Sequence, residues 1–100
     1  METDYMGEPL ASRRLDLHSP TGKKEILVCI GKPCQFTDGD GFYCPIQVKG
    51  LGSEKVQRIG GVDSMQALQL AIKVLSARFA SLETNLLSAL RWNGEQDLGL

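Results

Sequence analysis

Through "RRLDLH", residues 13–18, apolar and polar side chains alternate one by one. Leu15 and Leu17 fall on one side and Arg14, Asp16 and His18 on the other, the period of a half-buried strand. "SPTG" then marks a turn through Pro20 and Gly22. In "KKEILVCIG", residues 23–31, both sides are apolar: Ile26, Val28 and Ile30 share one, Leu27 and Cys29 the other. That pattern predicts a central strand. "KPCQFTDGDG", residues 32–41, reads as a connection. "FYCPIQVKG" alternates again, with Phe42, Cys44, Ile46 and Val48 inward and Tyr43, Gln47 and Lys49 outward. Pro45 has no N–H to donate to a ladder, so this strand is expected at an edge, or with that position turned to solvent. "EKVQRIGG", residues 54–61, is a fourth, weaker strand.

The period then changes. Met65, Leu68, Ile72, Leu75, Phe79, Leu82, Leu86 and Ala89 recur at spacings of three and four, without Pro or Gly, from Val62 to Trp92. This is a helical stripe. Asp63 is placed as its N-cap, and Gln66, three residues on, completes a capping-box-like pair. Gly94 is a plausible stop, and "NGEQDLGL" reads as loop. Residues 1–9 read as a flexible leader, and residues 10–100 as a single α+β domain. The expected fold is a four-stranded antiparallel meander packed against one long C-terminal helix (β-β-β-β-α), in two layers.

A helix of about 28 residues would be ~42 Å long, whereas strands of about eight residues span ~27 Å. Part of the apolar stripe would then overhang the sheet. The chain either breaks near residues 80–85 and folds back, with "LSALRW" as a second short element, or pairs its overhang with another copy. The second solution predicts a homodimer through the C-terminal helix. Its contact residues would be Leu75, Phe79, Leu82 and Leu86, with Trp92 at the end of the stripe.

Composition narrows the function more than it assigns one. The net charge of −1 lacks the basic excess of a nucleic-acid binder, although Arg13-Arg14 and Lys23-Lys24 form two short basic pairs. No apolar run approaches a membrane span, and the N-terminus lacks the apolar core of a secretory signal. Three cysteines, an odd number, suit reduced thiols. A cytoplasmic protein is expected, with neither membrane nor nucleic acid as partner.

Candidate chemistry is sparse. "TDGDGF", residues 37–42, opens like a calcium loop. Counted from Asp38, however, Phe42, Ile46 and Lys49 stand where oxygen ligands belong, so the Asp-Gly pairs read as turn residues. Cys29, Cys34, Cys44 and His18 lack zinc spacing. "RIGGVDS" lacks the phosphate-loop pattern, and Asp63 would repel an anion at the helix start. No metal, cofactor or catalytic residue is assigned. An alternative site in the 32–41 loop would use Cys34, Asp38 and Asp40.

"GGVDSMQALQLAI" and "ALRWNGEQDLGL" resemble a family of small uncharacterised bacterial α+β proteins. That family carries a G-x-D-S-x-Q-A-L helix start, an L-R-W element and a Gly-Leu ending. The matching positions are Gly61, Asp63, Ser64, Gln66, Ala67 and Leu68, then Leu90, Arg91 and Trp92, then Leu98 and Gly99. The resemblance covers about the last 40 residues. It implies a bacterial source and a small α+β domain, and it carries no activity. The expected role is a self-associating protein-interaction module, of which an immunity-like protein is one form. A small ligand-binding or enzymatic domain built on the 32–41 loop is the alternative.

Overall fold

A computed structural model describes residues 6–86 and 89–100, with the side chains of 84–86 also outside the description. The architecture is α+β: an antiparallel sheet packed against a single helix. The strands are β1 (Pro9–Ser19), β2 (Gly22–Gly31), β3 (Cys34–Gln35), β4 (Phe42–Lys49), β5 (Gln57–Gly61) and β6 (Ala89–Arg91), and α1 is Ser64–Leu86.

Among the described residues the sheet holds six strands rather than four. Two are too short to show a period. β3 lies inside the 32–41 connection, and β6 lies inside what reads as helix. Ile46 pairs with Ile30 on one side and Gln57 on the other, while Phe42 pairs with Gln35 and Gly61. β3 therefore continues β2 along the same side of β4. The rows run β6, β1, β2 with β3, β4, β5.

This order makes β4 an interior strand, which corrects the expectation drawn from Pro45. The proline is fully buried. It is tolerated because the β2 ladder stops at Ile30↔Ile46 and the β3 ladder resumes at Cys34↔Tyr43. No residue pairs with Pro45 across that gap, so no ladder bond is lost there. Gly31 lines the gap. A Cβ at Gly31 would run into Met6 O and would stand 2.7 Å from Pro45 Cγ.

The helix begins as its sequence predicts. Gln66 N donates to Asp63 Oδ1 at 2.8 Å, and Val62 N donates to Gln66 Oε1 at 2.7 Å. One orphan donor of the first turn is thereby satisfied, and the Gln66 side chain ties the residue before the cap to the helix. Its end is a correction: α1 has 23 residues, about 34 Å. β1, with 11 residues, spans about 37 Å. The mismatch in length behind the expected overhang is therefore absent. The chain folds back, and β6 pairs with β1 through Asp16↔Arg91, Leu17↔Leu90 and His18↔Ala89. Glu83 secures the return by accepting Leu90 N–H at 2.8 Å.

The core lies between α1 and one face of the sheet. Ala67, Ala71, Leu75 and Phe79 meet Leu15, Leu17, Ile26, Val28, Cys44, Ile46, Val48 and Leu90. The spacing of four along the helix lets small alanines seat its first half close to the sheet, while Leu75 and Phe79 fill the second half.

Candidate binding face of the sheet

Strand alternation that sends one set of side chains under α1 sends the other set outward. The register puts Lys23 beside His18, then Glu25, Asp16 and Arg91 in one row, then Arg14, Leu27 and Lys49 in the next. Ser12, Cys29 and Gln47 follow, then Pro45 with Arg58, then Tyr43. Among the described residues no helix or further strand lies over this face, although it is bordered at Pro45, which is buried, and at Gln47, whose Nε2 donates to Glu54 O at 2.6 Å. Arg14 and Glu25 form a 3.4 Å ion pair with both side chains largely exposed, worth little in water. The Arg58 guanidinium lies 4.6 Å from the Tyr43 ring centroid, and Phe36 packs against the same ring at 5.0 Å. A trough of about 470 Å³ opens where residues 6–12 rise over Leu27, Cys29, Gln47 and Lys49.

"TDGDGF" forms the turn between β3 and β4. Asp38 Oδ1 accepts Asp40 N–H at 3.0 Å, and Phe36 and Gly41 close the loop through Phe36 N–H to Gly41 O at 3.0 Å. Gly39 and Gly41 sit at φ +86 and +82, where a side chain would be strained. The Asp38 carboxylate thus caps its own turn. Asp38 and Asp40 are exposed, and half-buried Cys34 donates its S–H to Lys32 O at 3.3 Å. Among the described residues, no three His, Cys, Asp or Glu side chains come together as a metal site would need.

The remaining expected contact residues divide. Leu75 is 0% and Phe79 2% exposed, so both belong to the chain's own core. Leu82 is half-buried against that core, and the Leu86 side chain lies outside the described residues. The basic pairs also divide by face: Arg14 points outward, whereas Arg13 turns inward over Trp92.

That last contact was not legible in the sequence. The Arg13 guanidinium stacks 3.8 Å from the Trp92 ring centroid and donates to Leu98 O at 2.8 Å. Asn93 and Gly94, with φ 51 and 80, reverse the chain as a two-residue turn, with Trp92 and Glu95 exchanging backbone hydrogen bonds. The Asn-Gly dipeptide is the strongest short signal for such a turn. The tail then returns over the sheet edge. Gly99 fits where a Cβ would stand 2.7 Å from Arg13 Nη1 and 2.9 Å from the Trp92 ring, and Leu98 and Leu100 pack on the core. The L-R-W element and the Gly-Leu ending are thus the two halves of one latch.

Residues 11–100 match the family described as Domain of unknown function (DUF6968). The chain belongs to that family. No curated protein and no solved structure matches it. Among the described residues no helix is long and apolar enough to cross a membrane. The DUF6968 match begins within β1 and takes in every later element, including the latch.

One thiol in this DUF6968 chain has a shifted acidity. Burial first, and the nearby Cys34 thiol second, push Cys44 from 9.0 up to about 11. Cys44 is fully buried, and its S–H donates to Gly31 O at 3.5 Å. Iodoacetamide at mildly alkaline pH should therefore alkylate Cys29 and Cys34 and leave Cys44 intact until the protein unfolds, as peptide mass mapping would show. Stability follows the same sign. The contribution is whole below pH 9, where the unfolded thiol keeps its proton. It falls at up to about 1.4 kcal/mol per pH unit as pH rises toward 11. Urea midpoints that stay level from pH 9 to 11 would contradict a buried thiol.

Proposed function

We propose that the chain is a small protein-interaction module that self-associates through the outer edge of β5. The observation that carries this reading is a pair of large apolar side chains just beyond that strand, Val62 in the connection and Met65 in the first turn of α1: Val62 is 78% and Met65 67% exposed. Among the described residues, β5 has a strand on one side only, β4. An open edge beside exposed apolar residues favours pairing with another strand.

A second copy is the partner its sequence suits. "VQRIGGV", residues 56–62, is close to symmetric about Ile59. An antiparallel pairing on a two-fold axis at Ile59 sets Val56 against Val62, Gln57 against Gly61 and Arg58 against Gly60. The arginines of the two copies do not face each other, so like charges are kept apart across the pair. Such an interface is isologous and closes as a dimer. It differs from a dimer through the C-terminal helix, because Leu75 and Phe79 are enclosed within one chain.

Sedimentation velocity over a dilution series tests the reading. The expected result is a dimer that dissociates on dilution, and a monomer for Val62→Lys/Met65→Lys. Both positions are solvent-exposed, so the double variant should keep its fold. A monomer persisting at about 1 mM, where even an association of about −4 kcal/mol would show, would refute self-association. A dimer untouched by the double variant would refute the β5 edge.

A further inference from the structure

Charge is segregated in this molecule. Among its strand residues, the open sheet face carries the cations Arg14, Lys23, Lys49, Arg58 and Arg91 against the carboxylates Asp16 and Glu25, with Glu54 bordering it where Glu54 O accepts from Gln47 Nε2 at 2.6 Å. That is a surplus of three positive charges on a chain whose total is −1. The other described residues hold six cations against eight carboxylates, a net −2. Both carboxylates on the face already stand beside arginines: Glu25 pairs with Arg14 at 3.4 Å, and Asp16 lies opposite Arg91 across β1 and β6.

The trough lies within this field. Leu27, Cys29, Met6, Pro9 and the half-exposed Leu10 line it, and among the described residues Lys49 is its one charged lining residue. An apolar concavity of about 470 Å³ beside an ammonium group suits a ligand that is apolar at its tip and anionic around it. We infer that the open face binds an acidic polypeptide segment. One apolar side chain of that segment enters the trough, and flanking carboxylates meet Lys49 and Arg14.

The same surface is a poor nucleic-acid platform. Single-strand binders offer aromatic faces on which bases stack, but the Tyr43 ring already packs against Arg58 and Phe36. The apolar trough also matches a leucine or phenylalanine better than a phosphate. Complementary charge of this kind acts mainly on encounter rate and specificity, so binding should weaken as salt rises.

Fluorescence anisotropy with a labelled peptide of glutamates flanking one leucine and one phenylalanine tests the inference. The expected result is saturable binding at low salt that weakens about tenfold or more in Lys49→Glu and in Leu10→Asp. An all-glutamate peptide should bind at least about tenfold more weakly, because it leaves the trough unfilled. The Val62→Lys/Met65→Lys protein should bind like the wild type, since the trough draws on β1, β2 and β4. No binding at low salt would overturn the inference. So would indifference to both trough substitutions, or tighter binding of a single-stranded thymidine oligonucleotide. Loss of binding in the Val62→Lys/Met65→Lys variant alone would move the site to the β5 edge and also overturn it, whatever the oligomeric state proves to be.

Discussion

Phe79→Ala is expected to lower the free energy of unfolding by about 3–5 kcal/mol, by an amount that does not depend on protein concentration. Phe79 is 2% exposed and sits on the α1 stripe that faces β4 and β6. Removing its ring leaves a cavity that Leu75 and Leu90, both fully buried, cannot fill without leaving their rotamers. Small domains have only about 5–15 kcal/mol in hand, so the variant should sit near the edge of folding at room temperature. Urea denaturation followed by circular dichroism, run at two well-separated protein concentrations, measures both parts of the expectation. A loss that grows on dilution would mean that Phe79 holds two copies together and not one core.

Gly61→Ala should be nearly as damaging, although it adds one methyl group. A Cβ there would stand 2.5 Å from Ala67 N and 2.8 Å from Ala67 Cα. Both are backbone atoms in the first turns of α1, where rotation of a side chain gives no relief. β5 and the helix would have to separate, and the capping contacts among Val62, Asp63 and Gln66 would open with them. The expected cost is about 3 kcal/mol, at the upper end for overpacking. Gly60→Ala is the internal control. Its Cβ would meet the Phe36 ring at 3.8 Å, an ordinary contact, and should change stability by less than about 1 kcal/mol. Thermal unfolding of the two variants side by side would decide. Equal melting temperatures would mean that the helix does not start against Gly61.

The contrast between these neighbouring glycines illustrates what the sequence carries and what it does not. Period-two alternation located β1 and β4, a run apolar on both sides located β2, and β5, with no fully buried residue, gave only a weak signal. Asp63 and Gln66 located the helix start because capping is local chemistry. The Asp-Gly pairs of "TDGDGF" likewise read as the turn they form. The helix end was hidden. Residues 87–91 continue a helical spacing without Gly or Pro, and only the exposed side of β1, through Asp16, Leu17 and His18, draws Ala89–Arg91 into strand. That is tertiary override of a local preference. Pro45 misled because the gap between β2 and β3 that accommodates it arises from the pairing register, which no single strand reveals. The candidate face was legible in part: alternation named its residues, but not the trough, which needs residues 6–12 carried over Leu27 and Cys29.

The Arg13 latch also bears on the order in which the molecule can be built. Arg13 and Leu98 lie 85 positions apart. β1 and β2 form a hairpin as soon as residue 31 has been made, but the other side of β1 stays unpaired until Ala89–Arg91 exist. At about 5–20 residues per second, translation needs roughly three to twelve seconds to cover that interval. Throughout it, the growing chain presents one open strand edge, and until α1 has been made the apolar wall of Val28 and Ile30 is uncovered as well. Ala89–Arg91 close the strand edge, and Trp92 through Leu100 then latch it through Arg13. Slow synthesis between residues 32 and 91 would prolong the period in which other nascent chains can add to β1, and the yield of folded protein should then depend on how quickly that stretch is read.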